Sequence, residues 1–337
     1  MSKNIGTIAV DAMGGDNAPF KTLKGIEIFS KKNLYVDLVI LGNEAQINNT
    51  INQNNIKIQN FEIIHTDQDI HDEDTTNTIL RNRKNSSIFK GLDFIKNNRN
   101  FGFVSAGNTA ALMILSRMQL GMIQGIDRPA ICSIIPNKKD FSILLDLGAN
   151  ISVNAKNMFE FAIMGYSYFS ILKPNKNPSI GIINIGTESN KGMEVLQEAS
   201  NLINKSFLNK NFVGFIEPNK IANGICDIMI CDGYTGNIIL KTAEGMSHFI
   251  TDNLKKVFYK SFFNKIAYFI LKKDLKSFKD EINPDKYDGA TLIGVNGISI
   301  KSHGSSNPYA FSCAIDKCYR FIENKFIEKI SNQINNI

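Results

Sequence analysis

The run Ile228-Met229-Ile230-Cys231-Asp232-Gly233-Tyr234-Thr235-Gly236-Asn237-Ile238-Ile239-Leu240-Lys241 carries the residue types that hold an anion. Gly233 and Gly236 let backbone come close to a ligand, and Asp232, Thr235 and Asn237 supply polar side chains. A helix starting here would add free N–H groups. The chemistry on offer is charge stabilisation. The same residues also suit an ordinary strand-to-helix turn in which Thr235 does no more than cap the helix. Repetition favours the first reading. Comparable corners occur at Asp11-Ala12-Met13-Gly14-Gly15-Asp16-Asn17-Ala18-Pro19 and at Ser105-Ala106-Gly107-Asn108-Thr109. Others are Asp146 with Gly148, Ala149 and Asn150, then Gly186-Thr187-Glu188-Ser189-Asn190-Lys191-Gly192, and Ser302-His303-Gly304-Ser305-Ser306-Asn307. Six corners of this composition point to one shared polar cleft.

Several catalytic machines are missing from the sequence. There is no G-x-x-x-x-G-K-[ST] phosphate loop, no G-x-G-x-x-G after the first strand, no G-x-S-x-G elbow and no H-E-x-x-H. Of the 4 histidines, only His303 stands in one of the corners. It can serve Ser305 or Ser306 as a base, donate to an anionic oxygen, or be a packed, hydrogen-bonded side chain. Groups that hold anions and stabilise oxyanions are plentiful, whereas a covalent nucleophile is not evident. Direct transfer fits that balance: a small nucleophilic anion held against an electrophilic acyl carbon, with the rate coming from positioning and electrostatics.

The elements that must position these corners are legible as apolar runs. Strands are expected at Ile5 to Val10, Tyr35 to Leu41, Phe61 to His65, Phe101 to Val104, Ile143 to Leu147, Ile180 to Ile185 and Ile298 to Lys301. Helices are expected to begin near Pro19, over Glu44 to about Asn54, and after Asn85 or Ser86 as cap. A last helix of about twenty-five residues follows Asn307. Asp67 to Asp74 reads as an acidic loop. Strands alternating with helices imply right-handed crossovers and a largely parallel, buried sheet, with ligands outside the carboxyl ends of its strands.

At 337 residues and 43% hydrophobic content the chain buries a large core, with length enough for roughly two units by the usual prior of about 150 residues each. The net charge of +6 and pI near 8.9 favour anionic partners. The lysines are dispersed and not interleaved with aromatics, so nucleic acid is not expected. The amino terminus has no apolar leader, which suggests a cytosolic protein. Five cysteines fit reduced thiols. Cys226/Cys231 and Cys313/Cys318 are C-x4-C pairs, but five residues apart places side chains on opposite faces of a strand or about 140° apart on a helix, so no metal is expected.

From Asn253 to Lys279 the rhythm changes. Val257, Phe258, Phe262, Ile266, Phe269 and Ile270 fall on one helical stripe, Lys256, Lys260 and Asn264 on another, and Lys272, Lys273, Lys276 and Lys279 follow. The segment is too short and too charged to span a bilayer. It suits an anionic membrane surface, an acidic protein, or a packed hairpin with a solvated lysine face.

Ala9 to Pro19 resembles the amino-terminal signature of the bacterial phosphate acyltransferases, the acyl-carrier-protein:phosphate enzymes of phospholipid synthesis. The likeness continues through Arg81 with Lys84-Asn85-Ser86-Ser87, Ser105 to Thr109, Asp127-Arg128-Pro129-Ala130, Leu145 to Asn150, Asn184 to Gly192, Asp232 to Asn237 and Lys301 to Ser306. It is weak around residues 43–60 and after about residue 322. The resemblance implies one α/β acyltransferase unit over residues 1–337, three-layered and mostly parallel like isopropylmalate dehydrogenases and phosphotransacetylases, with an amphipathic helical hairpin inserted at about 247–285. It implies a cofactor-free homodimer that converts acyl-[acyl-carrier-protein] and inorganic phosphate into acyl phosphate and free carrier. A membrane glycerol-3-phosphate acyltransferase would consume the product. Phe258, Phe262, Phe263, Ile266, Phe269 and Ile270 would meet the membrane, placing the protein in the cytoplasm against the inner face of the plasma membrane. The acidic carrier suits lysines and arginines at the cleft mouth.

Within the resemblance, Lys191 is expected to orient phosphate and screen its charge, and Asn237 to donate to the thioester oxygen. The cleft is expected to be shaped by Asp11, Gly14, Gly15, Asp16, Asn108, Thr109, Asp146, Asn150, Asp232, Thr235, Gly236, His303 and Ser305. Three positions depart from the family pattern: Ala110 and Asp288 stand where glycine is usual, and Thr291 where proline or serine is commoner. Asp288 is expected to face solvent. Three other readings compete: a short-chain phosphotransacylase using coenzyme A thioesters, a decarboxylating dehydrogenase needing NAD and a divalent metal, and a membrane-associated binding protein without catalysis.

Overall fold

Most of the apolar runs between the polar corners become short strands buried on both faces because helices cover each side of the sheet, whereas the edge strands at Phe61–His65 and Phe212–Ile216 stay partly exposed. The computed structural model describes residues 6–71, 73–281 and 284–335. Ile5 of the expected first strand, Asp72 of the expected acidic loop, residues 282–283 of the expected hairpin, and the side chains of Lys276 and Lys279 lie outside the described residues.

In chain order the first half holds β1 (Thr7–Asp11), α1 (Phe20–Ser30), β2 (Asp37–Gly42), α2 (Glu44–Gln53) and β3 (Phe61–His65). It continues with α3 (Thr76–Asn82), α4 (Ser87–Ile95), β4 (Phe101–Ser105), α5 (Thr109–Leu120), β5 (Ala130–Pro136) and β6 (Phe141–Leu145). Then come α6 (Ala155–Leu172), β7 (Ile180–Ile183), α7 (Glu194–Asn204), β8 (Phe212–Ile216) and β9 (Ile228–Ile230). The last part holds α8 (Gly233–Tyr259), α9 (Phe262–Glu281), β10 (Ala290–Ile293), β11 (Ile298–Lys301), α10 (Pro308–Glu323) and α11 (Phe326–Asn335). Ser86 is the cap of α4, accepting from the Phe89 N–H. The long last helix expected from sequence is two, broken where Lys325 turns to a φ of 51°.

The described strands form one sheet ordered β3-β2-β1-β4-β11-β10-β5-β6-β9-β7-β8. β3, β2, β1, β4 and β11 are parallel, and so are β6, β9, β7 and β8. Between the two sets, β11 with β10, β10 with β5 and β5 with β6 all pair antiparallel. Three reversals leave the two parallel sets running in opposite directions. β5 and β10, which cause this, were not among the strands expected from sequence. β10 is four residues between Gly289 and Gly294, too short to show a period.

One register row crosses the sheet through Val10, Val104, Ile300, Thr291, Cys132, Leu145 and Ile230. Asp11, Ser105 and Lys301 lie one residue beyond it on one side, Asp146 and Cys231 one residue beyond it on the other. On one face α1, α6, α7, α10 and α11 pack against Val10, Ile300, Leu145 and Ile230. The other face holds α4 and α5 and, over β6, the first turns of α8 through Ile239 and Leu240. The polar residues next to the row alternate onto this second face.

α8 runs unbroken from the Asp232 corner into the first arm of the hairpin, and α9 packs back along it. Phe258 stacks edge-on against Tyr268 of the other arm. Phe262, Phe263, Phe269 and Ile270 are exposed by 72 to 80%. Among the described residues no helix is long and apolar enough to cross a membrane.

Candidate active site

The corners expected to form one cleft divide into two groups. Asp11, Gly14, Gly15, Asp16, Asn108, Thr109, His303 and Ser305 gather at the carboxyl ends of β1, β4 and β11. Lys191, Asp146, Asn150, Asp232, Thr235, Gly236 and Asn237 gather at the carboxyl ends of β7, β6 and β9. The single-edge arrangement expected from sequence is therefore corrected: the antiparallel strands β10 and β5 turn the second set of carboxyl ends the other way. The groups still share the second face of the sheet.

The first group is built around a buried carboxyl. Asp11 accepts from the Ser105 hydroxyl at 2.6 Å and the Met13 N–H at 3.0 Å, and the Gly107 N–H donates to the Ser105 oxygen at 2.9 Å. Burial pushes the Asp11 carboxyl above its ordinary range, opposed by the Ser105 and Ser87 hydroxyls. Gly14 threads past this pair: a Cβ there would stand 2.4 Å from the Gly107 nitrogen, so no side chain fits. Asn108 caps α5, accepting from the Ala111 N–H, and Thr109 is exposed on its first turn.

Two lysines complete this group. The Lys21 ammonium, 4% exposed as a residue, donates to the Gly304 carbonyl at 2.6 Å. Lys301 donates to the carbonyls of Ser302 and Ala106. Burial lowers the pKa of Lys21 and takes Lys301 to about 8, with Asp288 the chief charge resisting at Lys301 and Asp16 at Lys21. Lys21 went unremarked in the sequence because a lysine one residue into a helix normally reads as solvated. Its signal would have been the position, two residues after Pro19 at the end of the Asp11 corner.

Asp288, expected to face solvent, is half-buried with its carboxylate turned onto the end of β11. It accepts from the Ser302 hydroxyl and from the His303 N–H at 3.2 Å, because Lys317, 8% exposed, holds the carbonyls of Tyr287 and Gly289 on either side of it. His303 places Nδ1 2.8 Å from the Ser305 hydroxyl. The Asp288 carboxylate meets the His303 backbone and not its ring, so these three form no acid-base relay.

The second group is a set of interlocked turns. Asp146, fully buried, accepts from the N–H groups of Ile131, Gly148, Ala149 and Asn150 and from the Asn150 amide. Burial raises the Asp146 carboxyl, opposed by these donors. Asp232 is the α8 cap, accepting from the Thr235 N–H and hydroxyl, so Thr235 is the partner of the cap and not the cap itself. Gly236 sits where a Cβ would lie 1.9 Å from the Asp146 carbonyl oxygen, which locks the first turn of α8 onto the β6 corner. Gly148 then faces the Asn237 side chain, which is exposed. At the end of β7 the Asn184 amide donates to the Lys191 carbonyl. The Lys191 ammonium is exposed and paired with Glu188 at 2.7 Å, which raises its pKa.

Between the groups runs α8. Lys241 lies four residues beyond Asn237, on the same side of the helix, and its charge reaches Lys301.

Lys301 and Lys317 both carry a proton less firmly folded than unfolded, near pH 8 against 10.5. Between those values the unfolded chain binds more protons at these two sites, so each lysine contributes stability that rises with pH across the window, by up to about 3 kcal/mol. The buried thiols, raised by burial, act in the opposite sense over the same window, so the lysine share is read by difference. In urea unfolding at pH 7.5 and pH 10 the change in stability with pH is expected to be less favourable in Lys301→Met than in the wild type by about 2 kcal/mol. The same change in both would mean that Lys301 is not desolvated.

A family model described as fatty acid synthesis protein matches residues 6–329. A phosphate acyltransferase of Pelagibacter ubique is 41% identical over 335 residues, covering 99% of this chain and 100% of that protein. One from Alkaliphilus oremlandii is 39% identical over 330 residues, 98% of each. Among solved structures, a phosphotransacetylase from Streptococcus pyogenes superposes with a TM-score of 0.62 at 15% identity, covering 96% of this chain and 95% of that one. At that identity the likeness speaks for the fold.

Proposed function

The chain belongs to the phosphate acyltransferase family, and from that premise we propose that it transfers an acyl group from acyl-carrier protein to inorganic phosphate. A phosphate oxygen attacks the thioester carbon. The C–S bond breaks, and the carrier leaves as a thiolate that takes up a proton. The product is an acyl phosphate for phospholipid synthesis.

The observation that carries the reading is the second group. Asp146, Asn150, Asp232 and Thr235 are consumed in holding turns together, while Asn237 and Lys191 extend exposed side chains from those turns. Asn237 follows directly on the first turn of a helix whose N-terminus is fixed against the sheet, a placement suited to an N–H donor for the thioester oxygen. Lys191 offers a compact cation for phosphate, with Glu188 holding it when no anion is bound.

The test is direct: purified protein, palmitoyl-carrier protein and labelled phosphate, with acyl phosphate trapped by hydroxylamine. Palmitoyl-coenzyme A in parallel separates a carrier-protein enzyme from a coenzyme A enzyme. No trapped product with either thioester would exclude the reading.

The reading extends to a homodimer whose product passes to a membrane glycerol-3-phosphate acyltransferase, with the α8–α9 hairpin resting on the inner face of the plasma membrane. Its support is the exposure of Phe262, Phe263, Ile266, Phe269 and Ile270 beside the exposed Lys265, Lys272 and Lys273. Changing Phe263 and Phe269 together to Asp is expected to cut sedimentation with anionic vesicles about tenfold or more, leaving carrier-dependent turnover in solution intact. Undiminished sedimentation would assign the hairpin to another contact.

A further inference from the structure

The first group holds one buried lysine, Lys21, and one half-buried, Lys301, for which the transfer step has no use. Lys21 lines a cavity of about 580 Å³ together with Asn17, Phe20, Ser305 and Ser306, where the N-termini of α1 and α10 meet. Lys301, outside that lining, is close enough for its charge to act on Lys21.

The distance from Lys301 to the Asp146 corner, against which the start of α8 and Asn237 are packed, carries the argument. From β11 to β6 is three strand spacings, and Lys301 and Asp146 lie on opposite sides of the register row. Those steps amount to roughly 14 Å across the sheet and 7 Å along it, or about 16 Å in all. The pantetheine arm of a carrier protein runs thirteen bonds from phosphorus to sulfur, again roughly 16 Å when extended. The side of α8 carrying Asn237 and Lys241 lies along that path.

Charge narrows the ligand. Facing the two ammoniums are Asp288 from the β10 end, Asp11 from β1, Asp16 from the loop after it and Lys241 from α8; Lys317 and Cys313 of α10 face Asp288. Three ammoniums, Lys21, Lys301 and Lys241, stand against the carboxylates of Asp288 and Asp16 and the Asp11 carboxyl that burial raises, a balance that suits one negative charge better than two.

We propose that the Lys21–Lys301 seat receives the phosphodiester at the base of the pantetheine arm, and that Asp288 is the fixed counter-charge that makes it select a singly charged phosphate. The inference rests on the acyl-transfer reading and adds to it the subsite for the far end of the thioester substrate. Inorganic phosphate reacts at the other group.

Three small thioesters test it without a carrier-protein surface: acyl-pantetheine, its 4′-methyl phosphodiester and its 4′-phosphate monoester. At pH 8 the wild type is expected to prefer the phosphodiester over bare acyl-pantetheine by about tenfold in kcat/KM, and Lys21→Met or Lys301→Met to lose that preference while KM for inorganic phosphate moves less than threefold. Asp288→Asn keeps an oxygen for Ser302 and His303 but drops the charge. It is expected to raise the use of the dianionic monoester about tenfold relative to the phosphodiester. A lysine variant that raises KM for inorganic phosphate and leaves the thioester preference alone would overturn the proposal and give the seat to the nucleophile. An unchanged monoester ratio in Asp288→Asn would overturn the charge role. Should a lysine variant fail to fold, the wild-type preference and the Asp288→Asn ratio still decide. Failure of the transfer reading itself would look different, as no acyl phosphate from any of the three in the wild type.

Discussion

Asn237→Ala is expected to lower acyl phosphate formation roughly 100 to 1,000-fold, the usual cost of removing one oxyanion donor. The side chain follows directly on the first turn of α8, and that turn cannot drift: Asp232 caps it, and Gly236 is pressed against the Asp146 carbonyl. A donor on so fixed a turn needs no reorganisation as charge develops on the thioester oxygen. Because Asn237 is exposed and holds no turn together, the unfolding midpoint in urea should move little. The loss should fall on kcat at saturating substrates. Lys191→Ala gives the contrast, with its loss appearing chiefly as a raised KM for phosphate, since an ammonium that screens and orients the nucleophile acts on binding. Steady-state kinetics varying each substrate distinguish the two. Wild-type turnover in Asn237→Ala would remove it from the reaction.

Asp146→Ala is expected to destabilise the fold by about 4 kcal/mol, and Asp146→Asn by less. The carboxylate is fully buried and accepts from four backbone N–H groups and the Asn150 amide. Each donor left without an acceptor costs about 1 to 3 kcal/mol, and part of that is recovered where water enters. Against a total stability of roughly 5 to 15 kcal/mol the loss is large. It would also free the 146–150 turn and with it the seat of Asn237. Urea unfolding should show a lower midpoint with turnover reduced in the part of the protein that remains folded. A loss of activity with unchanged stability would mean that Asp146 touches substrate instead of holding the turn.

The sequence determined a good deal. Phe61 to His65 and Ile298 to Lys301 are strands as expected, because each is an apolar run closed by turn residues. Asn-rich corners such as Asn108 are helix caps, because a short side-chain oxygen reaches the free N–H groups of the first turn wherever the chain enters a helix. Such local rules named the polar corners, and their order along the chain matched the family.

What the sequence could not convey was direction. β5 and β10 pair antiparallel across long separations, and nothing in four to seven apolar residues says which way a strand will run beside a partner 160 residues away. That choice, made by packing, split one expected cleft into two groups about 16 Å apart. It also turned Asp288 inward, since its orientation is set by Lys317 from α10 holding the carbonyls on either side. Residue chemistry is written locally, whereas which residues face one another depends on contacts between distant segments, and only the assembled sheet decides them.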